Sequence, residues 1–181
     1  MISRGDMALR QVQNTERDMK LLLKWLSDPR VLRWAYGEDA PWDIEKISEH
    51  FSPKASDSTA RCFIVHGTAE IGYIQYFPVE EDSYKYTSRE MFEAAKKGYG
   101  IDIFIGEVEL WDKGIGGRAV ALIEEYLRGN TSAELICADP ATDNPRAQRF
   151  WRKAGFTPIG LIENYDDPAK QSTFMIKQIS G

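Results

Sequence analysis

The sequence predicts a single α/β domain in which helices flank a central sheet. Two patterns indicate this fold class: apolar runs of strand length recur along the chain, and segments with apolar residues at helical spacing lie between them. At 181 residues the chain is long enough to bury a sizeable core within one domain. We expect the domain to cover residues 7–181, with residues 1–6 as a frayed N-terminal extension.

The first half of the chain carries clear boundary signals. Thr15 and Asp18 form an imperfect capping box before an apolar run, which predicts a helix start. Gly67 and Thr68 separate two apolar runs and predict a hairpin turn. The predicted elements are a strand over residues 7–12, a helix after Thr15, short helices over 30–36 and 43–51, hairpin strands over 61–66 and 70–77, and a helix over 88–97.

The second half alternates strands and helices. Pro145 suits the first turn of a helix that Asp143 or Asn144 can cap, and Gly155 suits its C-terminal end. The predicted elements are a strand over residues 100–105, a helix over 119–127, a strand over 134–138, a helix over 144–154, and strands over 157–162 and 172–179.

A glycine-rich turn between strand 100–105 and the next helix favours anion binding. It reads Trp111-Asp112-Lys113-Gly114-Ile115-Gly116-Gly117-Arg118. Glycines let the backbone approach a ligand, and the first helical N–H groups have no partner inside the helix. With the helix dipole, they make a phosphate or pyrophosphate the natural occupant. The alternative is a tight turn without a ligand.

Two common phosphate-binding motifs do not fit this turn. A P-loop needs Lys-Ser or Lys-Thr after its second glycine, and no such pair follows a glycine here. The dinucleotide fingerprint needs a third glycine and a place near the first strand, whereas residues 114–117 lie past the midpoint of the chain.

A second motif narrows the interpretation. Asn144-Pro145-Arg146-Ala147 opens a helix that ends at Lys153-Ala154-Gly155-Phe156, about 30 residues after the glycine turn. The two elements together resemble the signature of the GNAT superfamily of acetyl-coenzyme A-dependent N-acetyltransferases. The resemblance implies a GNAT-type domain with a mixed central sheet of about six to seven strands, where acetyl-coenzyme A lies between two splayed strands.

Longer stretches look like the aminoglycoside 6'-N-acetyltransferases, over almost the whole chain. The matching segments are residues 34–39, 71–75, 99–107, 111–116 and 139–140. Siderophore-biosynthesis acyltransferases share part of this pattern. The resemblance implies acetyl-CoA as co-substrate and no metal, with cofactor contacts from Asp112, Lys113, Gly114, Ile115, Gly116, Gly117, Arg118 and Asn144.

Asp102 is the leading candidate for catalysis. It is the only charged residue of the apolar strand 101–106, and a charge there is unfavourable unless something satisfies it. A cationic substrate would do so, and the carboxylate could accept the proton that an attacking amine must lose. The alternative is a structural carboxylate bonded to backbone N–H groups. In the family that this chain resembles, the matching aspartate is the proposed base.

Three further residues are predicted to bind substrate. Asp139 ends the strand beside that of Asp102 and could pair with a second ammonium, or it could form an Asx turn. Trp34 and Gln75 are predicted to contact the sugar, although Trp34 could equally be a core residue that anchors its short helix.

Two tryptophans depart from the family pattern. Trp151 stands where many members carry a tyrosine that protonates the leaving thiolate, and an indole cannot serve as an acid. Either another hydroxyl supplies the proton or the thiolate leaves unprotonated. Trp111 stands at the first motif position, where Arg or Gln is usual. Anion binding by the backbone N–H groups of the turn does not need that side chain.

Composition restricts the possible partners. The net charge of −5 argues against nucleic acid, which favours a basic face. No apolar run approaches the ~18 residues of a membrane span, and no signal peptide is visible. Cys62 and Cys137 lie in apolar strand patterns and are expected to be buried free thiols. We therefore expect a cytoplasmic protein, monomeric or homodimeric, with no nucleic-acid or membrane partner.

Acidic residues cluster in the segment from Tyr36 to Glu49. They are either a solvated helix face or a cleft wall that attracts a polycation. His50 and His66 are each expected to be structural. The acidic residues of this segment are Glu38, Asp39, Asp43, Glu45 and Glu49, against a single Lys46.

The resemblance implies acetylation of an aminoglycoside amine at the 6' position, which confers antibiotic resistance. Two alternatives stay open. One is an acyltransferase for another polyamine or for a hydroxylamine in siderophore biosynthesis. The other is a coenzyme A-binding module without turnover, which the missing tyrosine favours and Asp102 disfavours.

Overall fold

A computed structural model describes residues 1–37, 40–52, 58–86, 88–164 and 169–179 of the chain. Within these ranges the α/β class is confirmed, with eight strands, six α-helices and a short 3₁₀ turn. The strands are β1 (Ile2–Arg4), β2 (Met7–Gln11), β3 (Ala60–His66), β4 (Ala69–Pro78), β5 (Gly98–Ile105), β6 (Leu135–Ala138), β7 (Thr157–Glu163) and β8 (Gln171–Gln178). The helices are α1 (Glu16–Leu26), α2 (Pro29–Tyr36), α3 (Ile44–Phe51), α4 (Arg89–Ala95), α5 (Ile115–Asn130) and α6 (Pro145–Lys153), and the 3₁₀ turn is Val108–Leu110.

The strands form one mixed sheet in the order β1-β2-β3-β4-β5-β6-β8-β7. Strands β5 and β6 are parallel, whereas β6 pairs antiparallel with β8 and β7 with β8. The sheet therefore has one strand more than the upper limit predicted from the sequence.

The additional strand, β1, lies within residues 1–6, which the sequence analysis expected to be frayed. Ile2–Arg4 pairs antiparallel with β2, with Ile2 opposite Leu9. Gly5, at φ 61°, makes the tight turn between the two strands. A strand this short has no periodic pattern of its own and exists because its partner supplies the hydrogen bonds.

The predicted helix caps are confirmed. Thr15 accepts a hydrogen bond from the Asp18 N–H, and Asn144 accepts one from the Ala147 N–H. Helix α5 begins at Ile115, four residues before its predicted start, so Gly116 and Gly117 belong to its first turn. Their low helix propensity concealed the true boundary in the sequence.

The chain comprises two compact units, each with its own core. Unit 1 contains residues 1–75 and 103–122, and its core includes Leu22, Trp25, Phe51, Phe63 and Tyr73. Unit 2 contains residues 76–102 and 123–181, and its core includes Tyr84, Leu135, Cys137, Ile162 and Phe174.

Candidate functional site

The turn before α5, in unit 1, has the geometry of an anion cradle. Asp112 and Gly114 lie in the left-handed region, at φ 60° and 76°. The Arg118 N–H donates to the Gly114 carbonyl at 3.2 Å and so makes the first bond within the helix. The N–H groups of residues 115–117 precede it and point out of the helix N-terminus. A Cβ atom added at Gly117 would meet no atom of the described residues within 4 Å, so a ligand can approach this backbone closely.

This geometry changes the predicted contribution of two cradle residues. The Arg118 backbone already donates within the helix, so only its side chain is left for a ligand. Ile115 is buried at 5% exposure and can contribute only through its backbone. Asp112, Lys113 and Gly114 are exposed.

Arg118 also has a side-chain partner that the sequence did not reveal. Its guanidinium pairs with Asp6 in the turn between β1 and β2. The other carboxylate oxygen of Asp6 lies 2.9 Å from His66 Nε2. The Arg118 hydrogen bond is the largest influence on Asp6 and lowers the pKa of that carboxyl. Arg118 thereby links the first turn of α5 to the turn between β1 and β2 within unit 1.

The other motif residues have structural roles. Asn144 uses its side-chain oxygen to cap α6, at 2.9 Å from the Ala147 nitrogen, so its contact with a cofactor stays a prediction. Trp151 is 5% exposed and packs between Phe150 and Phe156. The Trp111 indole donates to the Ile105 carbonyl at 2.8 Å.

Asp102, on β5, and Asp139, directly after the end of β6, both belong to unit 2. The parallel pairing of the two strands runs from Gly98–Leu135 to Gly100–Cys137. Each aspartate therefore follows the last paired residue of its strand by two positions, which is the spacing at which side chains return to the same face of a strand. Both residues are half-buried. Two carboxylates in this arrangement make a region that favours cationic groups.

Two tyrosines beside this pair were missed in the sequence, where residues 78–98 showed no clear pattern. The hydroxyls of Tyr84 and Tyr86 are buried and have no hydrogen-bond partner among the described residues. Burial is the largest cause that raises the pKa of Tyr84, and the negative charges of Asp139 and Asp102 add to it. Burial, Cys137 and Asp139 also raise the pKa of Tyr86. Both hydroxyls therefore stay protonated at neutral pH.

The predicted sugar contacts lie in unit 1. Trp34, on α2, is 40% exposed, and the Arg33 guanidinium lies 6.0 Å from its ring centroid. This exposure excludes the alternative that Trp34 is a core residue. Gln75 is half-buried and accepts a hydrogen bond of 2.7 Å from the Tyr73 hydroxyl.

The acidic segment is only partly visible. Glu38 and Asp39 lie outside the described residues. Asp43 caps α3 by accepting from the Lys46 N–H at 2.8 Å, and Glu45 and Glu49 are exposed. The Asp43 cap favours the structural interpretation for that residue.

His50 and the two cysteines agree with the sequence analysis. His50 packs against the Tyr36 and Trp42 rings, which is a structural contact. Cys62 and Cys137 are buried free thiols, as predicted, and burial raises the pKa of Cys62 to about 11. In the described ranges, no group of His, Cys, Asp and Glu side chains could hold a metal ion. No helix in the same ranges has both the length and the hydropathy to cross a membrane.

Comparison with known proteins gives a consistent result. The family model described as an acetyltransferase (GNAT) domain matches residues 14–164. The aminoglycoside N(6')-acetyltransferase type 1 of Klebsiella pneumoniae is 27% identical over 157 residues, which cover 86% of this chain and 77% of the relative. A structure of AAC(6')-Ib with ribostamycin and coenzyme A has a TM-score of 0.80 at 24% identity and covers 96% of this chain and 94% of that one. An aminoglycoside N(6')-acetyltransferase structure from Legionella pneumophila has a TM-score of 0.71 at 19% identity and covers 98% of this chain and 95% of that one.

Proposed function

The chain belongs to the GNAT acetyltransferase family, because the family model matches residues 14–164, and from this membership we propose its reaction. The protein transfers the acetyl group of acetyl-CoA to the 6' amine of an aminoglycoside and thereby confers resistance to the antibiotic. The named function of the Klebsiella pneumoniae relative and the ligands of the AAC(6')-Ib structure support this substrate class.

The observation that carries the proposal is the Asp102–Asp139 pair. Aminoglycosides are polyamines that are largely protonated at neutral pH, and two carboxylates on one face of neighbouring strands match such a cation. Asp102 accepts the proton that the amine must lose before it attacks the thioester. Asp139 pairs with a second ammonium and so orients the sugar.

The turn before α5 fits the phosphates of acetyl-CoA, which supplies the activated acetyl group when bound. The N–H groups of residues 115–117 are the donors, and the open space at Gly117 lets the phosphate approach them. Trp34 and Gln75 are the proposed contacts to the sugar.

The thiolate leaves without being protonated by a residue of α6, because Trp151 stands where many family members carry the tyrosine that acts as the acid. Trp151 is buried between two phenylalanines, and its indole has no acidic proton to give. The modest pKa of a thiol, about 8.5, makes the thiolate a competent leaving group by itself.

The experiment is a thiol-release assay with acetyl-CoA and two aminoglycosides that differ only at the 6' position. Neomycin carries an amine there, and paromomycin carries a hydroxyl. We expect thiol release with neomycin alone. Equal thiol release with both antibiotics would show that the enzyme acetylates an amine other than the 6' amine.

Two other results would replace the proposed substrate or the proposed activity. Release with linear polyamines or hydroxylamines, but with no aminoglycoside, would establish a different acyl acceptor. Coenzyme A binding without release on any acceptor would show a binding module without turnover.

A further inference from the structure

The face of β5 and β6 that bears the carboxylate pair also carries two glycines. Gly98 and Gly100 precede Asp102 at alternate positions, so all three residues share this face. On β6, Leu135 lies opposite Gly98 and Cys137 lies opposite Gly100, and Asp139 follows directly after the end of the strand. The missing side chains at the glycines leave room for groups from elsewhere in unit 2.

The Tyr84 hydroxyl occupies part of that room. A Cβ atom at Gly100 would collide with Tyr84 Oη and with the Phe77 ring. The hydroxyl therefore rests on the strand backbone two residues before Asp102, on the face of the carboxylate pair. Tyr84 is 6% exposed, and the Phe77, Tyr86 and Phe174 rings surround its own.

This placement gives Tyr84 a donor without an acceptor. Its hydroxyl has no hydrogen-bond partner among the described residues, so no described carboxylate is in direct contact with it. The charges of Asp139 and Asp102 nevertheless reach the hydroxyl and contribute to its raised pKa. Buried polar groups that lie beyond hydrogen-bond distance can be joined by a bridging water where polar partners are present to hold it.

We propose that Tyr84 is a positioning residue for the Asp102–Asp139 pair, whose hydroxyl donates to the pair across one bridging water. Donation to a carboxylate stabilises its charged form and lowers its pKa. Tyr84 thereby keeps the pair ionised and ready to bind a cation or accept a proton. The inference rests on the proposed role of Asp102 in acetyl transfer.

The neighbouring groups make Tyr86 a matched control. The titratable groups that act on Tyr84 are Asp102, Cys137, Asp139 and Tyr86, and α4, β7 and β8 contribute Phe92, Ile162 and Phe174 to the same hydrophobic cluster. The Tyr86 hydroxyl is also buried without a partner among the described residues, and it responds to Cys137 and Asp139. Asp102 is not among the influences on Tyr86.

The test compares Tyr84→Phe and Tyr86→Phe by the pH dependence of kcat/KM with an aminoglycoside that carries a 6' amine. Loss of the Tyr84 donor should move the acid limb upward by about 0.5–1 pH unit. At pH values below the midpoint of that limb, kcat/KM of Tyr84→Phe should then be about three- to tenfold lower than that of the wild type. On the plateau the two values should be the same. Tyr86→Phe should leave the acid limb in place.

A second measurement keeps the inference testable without turnover. The side-chain carboxyl signals are titrated by ¹³C NMR in the full chain, and the Asp102 signal is assigned by its loss in Asp102→Asn. A higher Asp102 midpoint in Tyr84→Phe alone supports the proposal, even if no aminoglycoside is acetylated. Identical midpoints in wild type and Tyr84→Phe, or equal shifts in both variants, would overturn it, because Tyr84 would then only fill space.

Discussion

At the scale of single residues, the carboxylates Asp102 and Asp139 are the chemical centre of unit 2. Asp102 lies on β5 and Asp139 directly follows its parallel neighbour β6, although 37 positions separate the two residues in the chain. The two residues are expected to have different kinetic roles.

Asp102→Asn should lower kcat by about 10²–10⁴, because an amide cannot accept the proton of the amine. Asp139→Asn should mainly raise KM, because pairing with a remote ammonium stabilises the ground and transition states alike. Folding stability should hold in both variants, since asparagine keeps the size of aspartate. Steady-state kinetics with an aminoglycoside bearing a 6' amine measures the difference. Near wild-type kcat in Asp102→Asn together with lost turnover in Asp139→Asn would mean that the roles are reversed.

At the scale of secondary-structure elements, the start of α5 decides what the glycine turn can bind. Two glycines of this helix, Gly117 in its first turn and Gly129 in its last, share one property. A Cβ atom at either would meet nothing within 4 Å among the described residues. The protein itself therefore has room for a larger side chain at both positions. A difference in effect between substitutions at Gly117 and at Gly129 must then come from a bound ligand.

Gly117→Val should weaken coenzyme A binding by about tenfold or more, because the branched side chain blocks the approach of the phosphate to the helix N-terminus. Gly129→Val should leave the affinity unchanged. Thermal stability should hold in both variants, since valine has the higher helix propensity. Isothermal calorimetry measures the Kd for coenzyme A. Equal affinities for the two variants would show that the phosphate does not bind at this turn.

A second element-scale feature connects α1 to β2. The Asp18 carboxylate, 1% exposed, accepts hydrogen bonds from the Arg10 guanidinium and the Gln13 N–H. Burial alone would raise the pKa of Asp18, but these donors outweigh it and hold the pKa below its ordinary value of 3.8. The carboxylate is therefore a stabilising group when it is charged.

Asp18→Asn should lower the free energy of unfolding by about 2–3 kcal/mol at neutral pH, because charge-assisted hydrogen bonds in a buried position are lost. Since the folded-state pKa is depressed, this stabilisation is complete above the unfolded pKa and is lost as the pH falls through the folded pKa. The difference between wild type and variant should thus shrink below about pH 4. Urea denaturation at several pH values measures it. The matched variant Asp28→Asn, at a half-buried cap where asparagine also serves as a cap, should change stability by less than about 0.5 kcal/mol.

At the scale of the whole molecule, the net charge of −5 favours cationic over anionic ligands. The KM for an aminoglycoside should rise several-fold between about 0.05 and 0.5 M salt, because screening weakens the attraction between the protein and a polycation. The KM for acetyl-CoA, an anion, should hold or fall over the same range. Parallel increases in both KM values would show a general effect of salt on the enzyme and would contradict electrostatic attraction of the aminoglycoside.

The sequence by itself determined the features that depend on residues close together in the chain. Thr15 and Asn144 cap helices because each accepts from an N–H three residues later. The glycine turn and the α6 motif identified the family for the same reason, since both are contiguous. Periodicity likewise located every strand from β2 to β8 to within a few residues.

Only the tertiary structure decided the features that depend on pairing across the chain. Strand β1 exists because β2 completes its hydrogen bonds, and Arg118 meets Asp6 across 112 positions. Tyr84 reached the carboxylate face because Gly100 left space there, which no local pattern around residue 84 could show. Periodicity and capping are set within a few residues, so the sequence revealed them. Strand register and side-chain contacts are set by packing between distant segments, so they required the tertiary structure.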